Sequence, residues 1–277
     1  AIKNDFGIYS AHTNLDNAQG GVNYKIAEKI GLKNLKVLEP KENSLIKLVT
    51  FVPNTKADAV REALFAAGCG NIGNYDSCSY NLEGEGTFRA KEGTHPFCGA
   101  IGELHREGEV RIETILPAFK KSAVVRALLA VHPYEEPAFD IYPLQNDWTQ
   151  AGSGIIGELD ESETELEFLK RIKKTFEVGC LRHNRLTGRE IRKVALCGGA
   201  GAFLLPQAIR SGADVFITGE IKYHDYFGHE GEILMTEIGH YESEQYTKEI
   251  FYSIIRDLFP NFALQLSKIN TNPIKYL

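Results

Sequence analysis

No stretch of this 277-residue sequence approaches the roughly 20 consecutive apolar residues that a membrane-spanning helix needs. Its first residues also lack the charged-then-apolar pattern of a secretory leader, so the expectation is a cytoplasmic protein with no membrane partner. Lys and Arg never gather into a basic block with interleaved aromatics, and the net charge is −6. Phosphate-backbone binding needs clustered positive charge, so this pattern argues against a nucleic-acid surface while leaving room for a nucleotide or another small anion. Cysteine is sparse. The five thiols (Cys69, Cys78, Cys98, Cys180 and Cys197) are odd in number and contain no C-x-x-C pair. That usage fits reduced, structural thiols and argues against a zinc-thiolate site, which wants close cysteine pairs.

What is present is ordinary for a globular protein: 43% apolar and 25% charged residues, in a chain long enough for two cores. "AIKNDF" reads as the tail of a helix and "GIYSAH" as a strand, so an N-terminal piece of the first domain is expected to be missing. A polar loop, "TNLDNAQGG", leads to a helix in "VNYKIAEKIGL", with Val22, Ile26, Ala27 and Ile30 at helical spacing and Gly31 as its stop. From about residue 46 the pattern changes to strand-helix-strand twice over. The runs are "IKLVTFVP", "KADAVREALFAAGCG", "SYNLEGEGTFRA", "EVRIETILP", "SAVVRALLAVHP" and "PAFDIYPL". This is the order of a ferredoxin-like α+β domain. "QNDWTQAGSGIIGEL" reads as the return to the first domain, after which "KVALCGG", "ADVFITG" and "EILMTEIGH" are buried strands alternating with helices. The expectation is therefore an α/β protein whose mostly parallel-sheet core, residues 1–45 and 147–277, is interrupted by an inserted ferredoxin-like domain at 46–146.

Ligands of such sheets collect beyond the carboxyl ends of the strands. Two runs place a histidine there with an acid four residues on: His12 with Asp16 in "AHTNLD", and His240 with Glu244 in "GHYESE". Convergence of two carboxylates with one or two imidazoles would suit divalent Zn, Mn, Fe or Co, with a further acceptor needed for the free ring nitrogen. Either pair alone has a structural alternative, a first-turn acid for Glu244 and a turn residue for Asp16. "LCGGAGAFLL" is a glycine-rich strand-to-helix turn that could present amides to an anion, although Leu204 stands where G-x-G-x-x-G would need Gly or Ala. "TGEIKYHDYFGHE" follows a strand and offers His224 and Asp225 for acid-base or supporting roles, or simply a solvated polar helix. "VHPYEEPAFD" reads as a structural turn, with His132 near a helix C-terminus.

Three blocks, "AHTNLDNAQGGVN", "GGAGAFLLPQAIRSGADVFITGEIKYHD" and "GHYESEQYTKEIF", resemble signatures of the Nif-three-like family, the NGG-one-interacting-factor type often labelled GTP cyclohydrolase type 2 homologues. "HPYEEPAFDIYPL" resembles the close of the PII/CutA-like insert in its long bacterial members. The resemblance implies a dinuclear centre of two divalent ions at the sheet rim and a ring-shaped homohexamer. It makes Asp16, His240 and Glu244 metal ligands, Glu244 a bridge between the ions, and His12 a neighbour of the centre. The family's remaining ligands are two adjacent histidines in an earlier strand. No His-His pair occurs in these 277 residues, and truncation before Ala1 is the expected reason. The implied function is a metal-dependent hydrolase acting on GTP or another nucleotide-like molecule, with His224 or His12 shuttling protons. The competing expectations are a non-catalytic metal-binding or sensing module and a nucleotide-binding protein using "GGAGAF".

Overall fold

The apolar runs at both ends of the sequence build one sheet, and the runs between them build another. The computed structural model describes all 277 residues as a mixed α/β fold with one mixed and one antiparallel sheet. Contacts divide it into two units, one formed by Ala1–Lys41 with Thr149–Leu277, the other by Glu42–Trp148.

The first unit begins without a strand. Ile2–Asn4 forms a single 3-10 turn, and residues 7–11 have no regular structure. This corrects the reading of "GIYSAH". A strand exists only where a neighbour pairs with it, and here Ile8 and Tyr9 stay 77% and 79% exposed. The polar loop that follows contains a one-turn helix, α1 (Thr13–Asp16). Next come α2 (Val22–Ile30) and strand β1 (Lys33–Lys41). Helix α2 ends at Gly31, whose φ of 85° lets its N–H close on the carbonyls of Ala27 and Glu28.

The second unit runs β2 (Leu45–Pro53), α3 (Ala57–Ala66), β3 (Ser79–Arg89), β4 (Leu104–Pro117), α4 (Lys121–Val131) and β5 (Phe139–Pro143). Its strands lie in the order β3-β4-β2-β5, and every neighbouring pair is antiparallel. Val60 and Leu64 of α3 and Val124 and Leu128 of α4 are fully buried against Leu48, Val52, Ile112 and Leu116, so both helices cover one face. His132, just past α4, is buried rather than a surface cap. Its Nε2 bonds the Phe51 carbonyl at 3.0 Å, and its Nδ1 accepts the Tyr134 N–H at 3.1 Å. Both ring nitrogens are thus committed to the neutral form.

The first unit resumes with β6 (Trp148–Thr164), α5 (Glu165–Thr175), β7 (Arg182–His183) and β8 (Glu190–Cys197). It continues through α6 (Leu205–Arg210), β9 (Val215–Thr218), β10 (Leu234–Glu237), α7 (His240–Glu244) and α8 (Thr247–Leu258). A capping box between Thr164 and Glu167 starts α5. The sheet order is β1-β6-β8-β9-β10-β7. Only the β8–β9 and β9–β10 pairs are seen to be parallel, whereas β6 and β7 join β8 and β10 antiparallel. The expectation of a mostly parallel sheet is corrected to a mixed one. Antiparallel β6 comes from the glycine-rich "TQAGSGIIGEL", whose apolar signal is too broken to announce a long strand.

Alternation in the central strands assigns the two faces. Val194, Leu196, Val215 and Ile217 meet Ile26 and Ile30 of α2 and Phe168 and Ile172 of α5. Ala195, Cys197 and Phe216 meet Leu205 and Ala208 of α6. Covering both faces is what makes "VFIT" a continuous buried run. Register brings Cys197, Thr218 and Glu237 side by side, so the three parallel strands end level and form one rim.

Burial depresses the folded His132 pKa, outweighing the Phe51 hydrogen bond and the nearby Glu109 charge, which raise it. A depressed folded pKa contributes stability that is present above the unfolded value, about 6.5, and lost as pH falls through the folded one. Resistance to denaturant should therefore fall as pH drops below about 6.5, and His132→Gln should flatten that slope. An unchanged slope in the variant would remove His132 from the account.

Candidate metal centre

The rim is assembled around Gly199, in the turn after β8. Its carbonyl accepts from the Thr218 hydroxyl at 3.0 Å and from the N–H groups of Gly219 and Glu220 at 2.9 and 3.1 Å. Its N–H donates to Ser243 Oγ at 2.9 Å, and that hydroxyl donates to the His240 carbonyl at 2.8 Å. Gly199 takes φ 63°, and a Cβ built there would lie 2.4 Å from Glu244 Oε1 and 3.3 Å from His240 Nε2. Only glycine permits both the turn and this approach. On the other side, Asn23 of α2 accepts the Gly198 N–H at 2.8 Å and donates to the Asp16 carbonyl at 2.9 Å. The turn therefore links the segment carrying Asp16 to the helix carrying His240 and Glu244.

The same bonds decide what this turn does. The N–H of Gly198 goes to Asn23, that of Gly199 to Ser243, and that of Gly201 to Thr218 Oγ1 at 2.9 Å. These amides are spent inside the fold and do not form a cradle for a nucleotide phosphate.

His240 opens α7 directly after Gly239, whose φ is 94°, two residues beyond the end of β10. Its Nδ1 lies 2.6 Å from Glu220 Oε1, and its Nε2 faces Glu244 Oε2 at 3.5 Å. Glu220 supplies the acceptor for the second ring nitrogen. The sequence offered it within "TGEIKYHD", but His224 and Asp225 drew the supporting role instead. Glu237, at the end of β10, holds this segment in place. It accepts the Ile221 N–H at 3.0 Å and pairs with Arg182.

Asp16 ends α1, and its carboxyl feels the charges of His12 and His240. Its pKa is raised by burial, against those two histidines. The Glu244 carboxyl is likewise raised by burial, with His240 opposing and Asp16 adding repulsion. Burial, with Asp16 and Glu244 nearby, pushes the Cys197 thiol up to about 12. His12 is the N-cap residue of α1 with Nδ1 3.1 Å from Thr13 Oγ1, and no strand leads into it. His224 is exposed, in a 3-10 turn against the rings of Tyr223 and Phe227.

This donor set fits a divalent cation. With Nδ1–H given to Glu220, Nε2 presents a lone pair to a carboxylate oxygen, an arrangement that only a proton or a cation makes favourable. Two ligands about 2.0–2.1 Å from one tetrahedral ion stand roughly 3.4 Å apart, close to the 3.5 Å observed. The carboxylate–imidazole order Glu220–His240 is the usual way to orient a metal-binding ring.

A second group able to hold a metal lies in the other unit. Ligand atoms of Cys98, His105 and Glu107 all fall within 4.8 Å of one another. The lack of cysteine pairs argued against a thiolate site, yet here one thiol meets nitrogen and oxygen partners instead. The readable signal was "HRE" in β4, because residues two apart on a strand share a face.

The Duf34/NIF3 (NGG1p interacting factor 3) family model matches residues 1–273. A Halalkalibacterium halodurans protein described as a GTP cyclohydrolase 1 type 2 homolog is 44% identical over all of this chain and 76% of its own length. A Bacillus subtilis protein of the same description is 37% identical, over 100% and 75%. Among solved structures, a Bacillus cereus protein related to NIF3 superposes with a TM-score of 0.82 at 39% identity, covering all of this chain and 75% of that one.

Crowded carboxylates at the rim give a direct expectation. In chelator-treated protein, Glu244→Gln should raise the melting temperature by on the order of 2 °C, because it removes a buried repulsive charge. A fall measured by calorimetry would mean that the carboxylate is held in favourable pairing.

Proposed function

Because this chain belongs to the Duf34/NIF3 family, we propose that its rim holds a pair of divalent metal ions and hydrolyses GTP or another nucleotide-like, phosphorylated small molecule. The observation that carries this reading is the His240 imidazole, clamped by Glu220 on one nitrogen and facing Glu244 with the other. Relatives described as GTP cyclohydrolase 1 type 2 homologs supply the substrate class.

In this proposal Asp16, His240 and Glu244 are the residues that would hold the metal. When bound, such ions supply an electrostatic clamp for anionic oxygens and lower the pKa of water. Glu220 fixes the His240 tautomer, leaving Nε2 free to ligate, and Glu237 holds the N–H of the neighbouring Ile221. Gly199 keeps the approach to Glu244 open by having no side chain. His12 stands close enough for its charge to reach Asp16 and Glu244 and is the better placed proton carrier. His224, its ring packed on Tyr223 and Phe227, is the second candidate for that role.

The proposal extends to organisation. The strand order β3-β4-β2-β5 with two helices on one face supports a ferredoxin-like, PII/CutA-like insert. Family resemblance supports a homohexamer. No helix is long and apolar enough to cross a membrane, and five free cysteines support a reducing, cytoplasmic setting. A non-catalytic metal-binding or sensing role is the second reading, favoured by the Cys98, His105 and Glu107 group in addition to the His240–Glu244 pair.

Elemental analysis and a phosphoester and nucleotide screen with Mn, Zn, Fe or Co separate the two. Turnover lost by Asp16→Ala and Glu244→Ala supports the hydrolase, and tight binding without turnover supports the module. Absence of bound metal, with any turnover indifferent to both substitutions, would sink both. Glu220→Gln should weaken rim metal affinity by about 10- to 100-fold, measured by competition with a chromophoric chelator.

A further inference from the structure

The second unit contains a cluster that the proposed hydrolysis does not use. His105 and Glu107 project from one face of β4, with His105 Nε2 and Glu107 Oε2 2.9 Å apart. Cys98 reaches them from the loop between β3 and β4, its thiol within 4.8 Å of the His105 and Glu107 ligand atoms. Three features hold this loop in place. Gly102 donates its N–H to the Ala90 carbonyl at 2.8 Å, and the His95 N–H donates to Glu135 Oε2 at 2.8 Å. Gly99, at φ 77°, lies so close that a Cβ would sit 2.8 Å from His105 Cβ and Cγ. The Phe88 ring packs on the imidazole at 5.3 Å, and the Tyr134 hydroxyl lies 4.0 Å from Cys98 Sγ.

We propose that Cys98, His105 and Glu107 form a mononuclear site for a zinc-class divalent cation, separate from the rim centre. The donor set decides the class. A thiolate with an imidazole and a carboxylate suits borderline ions such as Zn2+ or Co2+, whereas Mg2+ and Ca2+ take oxygen ligands. Three protein ligands leave one place of a tetrahedral ion for water or an outside donor, the pattern of an exchangeable site rather than a closed structural one. Tyr134 is shared with a cleft of about 800 Å³ that also includes Phe88, Phe97 and Glu109. A ligand entering that cleft therefore meets a side chain that also neighbours Cys98.

Cobalt(II) titration of the whole chain tests this, because a thiolate ligand adds a charge-transfer band in the near ultraviolet. The band should appear in the wild type and in Asp16→Ala/Glu244→Ala, and disappear in Cys98→Ser. His105→Gln should weaken cobalt affinity at this band at least about tenfold, with circular dichroism confirming the fold of each variant. A wild-type protein that takes up cobalt with no such band would overturn the assignment. So would a band that survives in Cys98→Ser, which would place the thiolate elsewhere. Loss of the band in the rim variant alone would mean a single centre and would also overturn it. Failure of the rim reading leaves these outcomes unchanged, since none depends on turnover.

Discussion

The rim depends on the close approach of bare backbone to the side chains of His240 and Glu244. At Gly199 the carbonyl carries three hydrogen bonds from the end of β9 and the residues after it, while the N–H is committed to Ser243 of α7. A side chain at this position would push into Glu244, and a different φ would swing the carbonyl away from its donors. Asp16 arrives by a second route, through Asn23 and the N–H of Gly198. The positions of the three proposed ligands are thus consequences of how one turn is satisfied.

The electrostatics follow from that geometry. Bringing Asp16 and Glu244 into a partly buried rim raises both carboxyl pKa values, and two histidines offset only part of the cost. The arrangement is unfavourable until positive charge enters, which is how a site can be rigid and still select for a cation. The Cys98 group differs in kind. It is softer, has one carboxylate instead of two, and joins a loop thiol to two side chains of β4. Two sites of different softness on one chain would sort ions by ligand chemistry rather than by affinity alone.

Much of the architecture was legible because burial on both faces leaves a plain mark. The strands in "KVALCGG", "ADVFITG" and "EILMTEIGH", helix α2 with its Gly31 stop, and the order of the second unit could all be read from periodicity and punctuation. His240 and Glu244 were legible as a pair, since four residues on a helix lie on one face. What could not be read depended on partners. "GIYSAH" has the composition of a strand but no neighbour to pair with. Strand β6 was hidden by glycines and polar residues that make sense only beside β8. Direction within the sheet was misjudged for the same reason, because alternation of elements says nothing about β6 and β7 at its flanks. Glu220 looked like one polar residue among many, and its role needed the distance to His240 Nδ1. Cys98 stands seven residues from His105 across a loop whose shape is set by Gly99 and Gly102, beyond the reach of spacing rules.

The Asn23–Gly198 hydrogen bond closes a loop of 175 residues, whereas Gly199 and Ser243 are 44 apart. Loop closure costs grow with length, and non-local contacts are rewarded only once those costs are met. The rim is accordingly a late event on the folding path. His240 and Glu244 come together as soon as α7 forms, and the Gly199 turn joins them when β8, β9 and β10 align. Asp16 is recruited last, after the chain that spans residues 42–148 has been accommodated within the loop. On the proposed metal reading, a nascent chain would hold the His240–Glu244 pair before Asp16 completes the site.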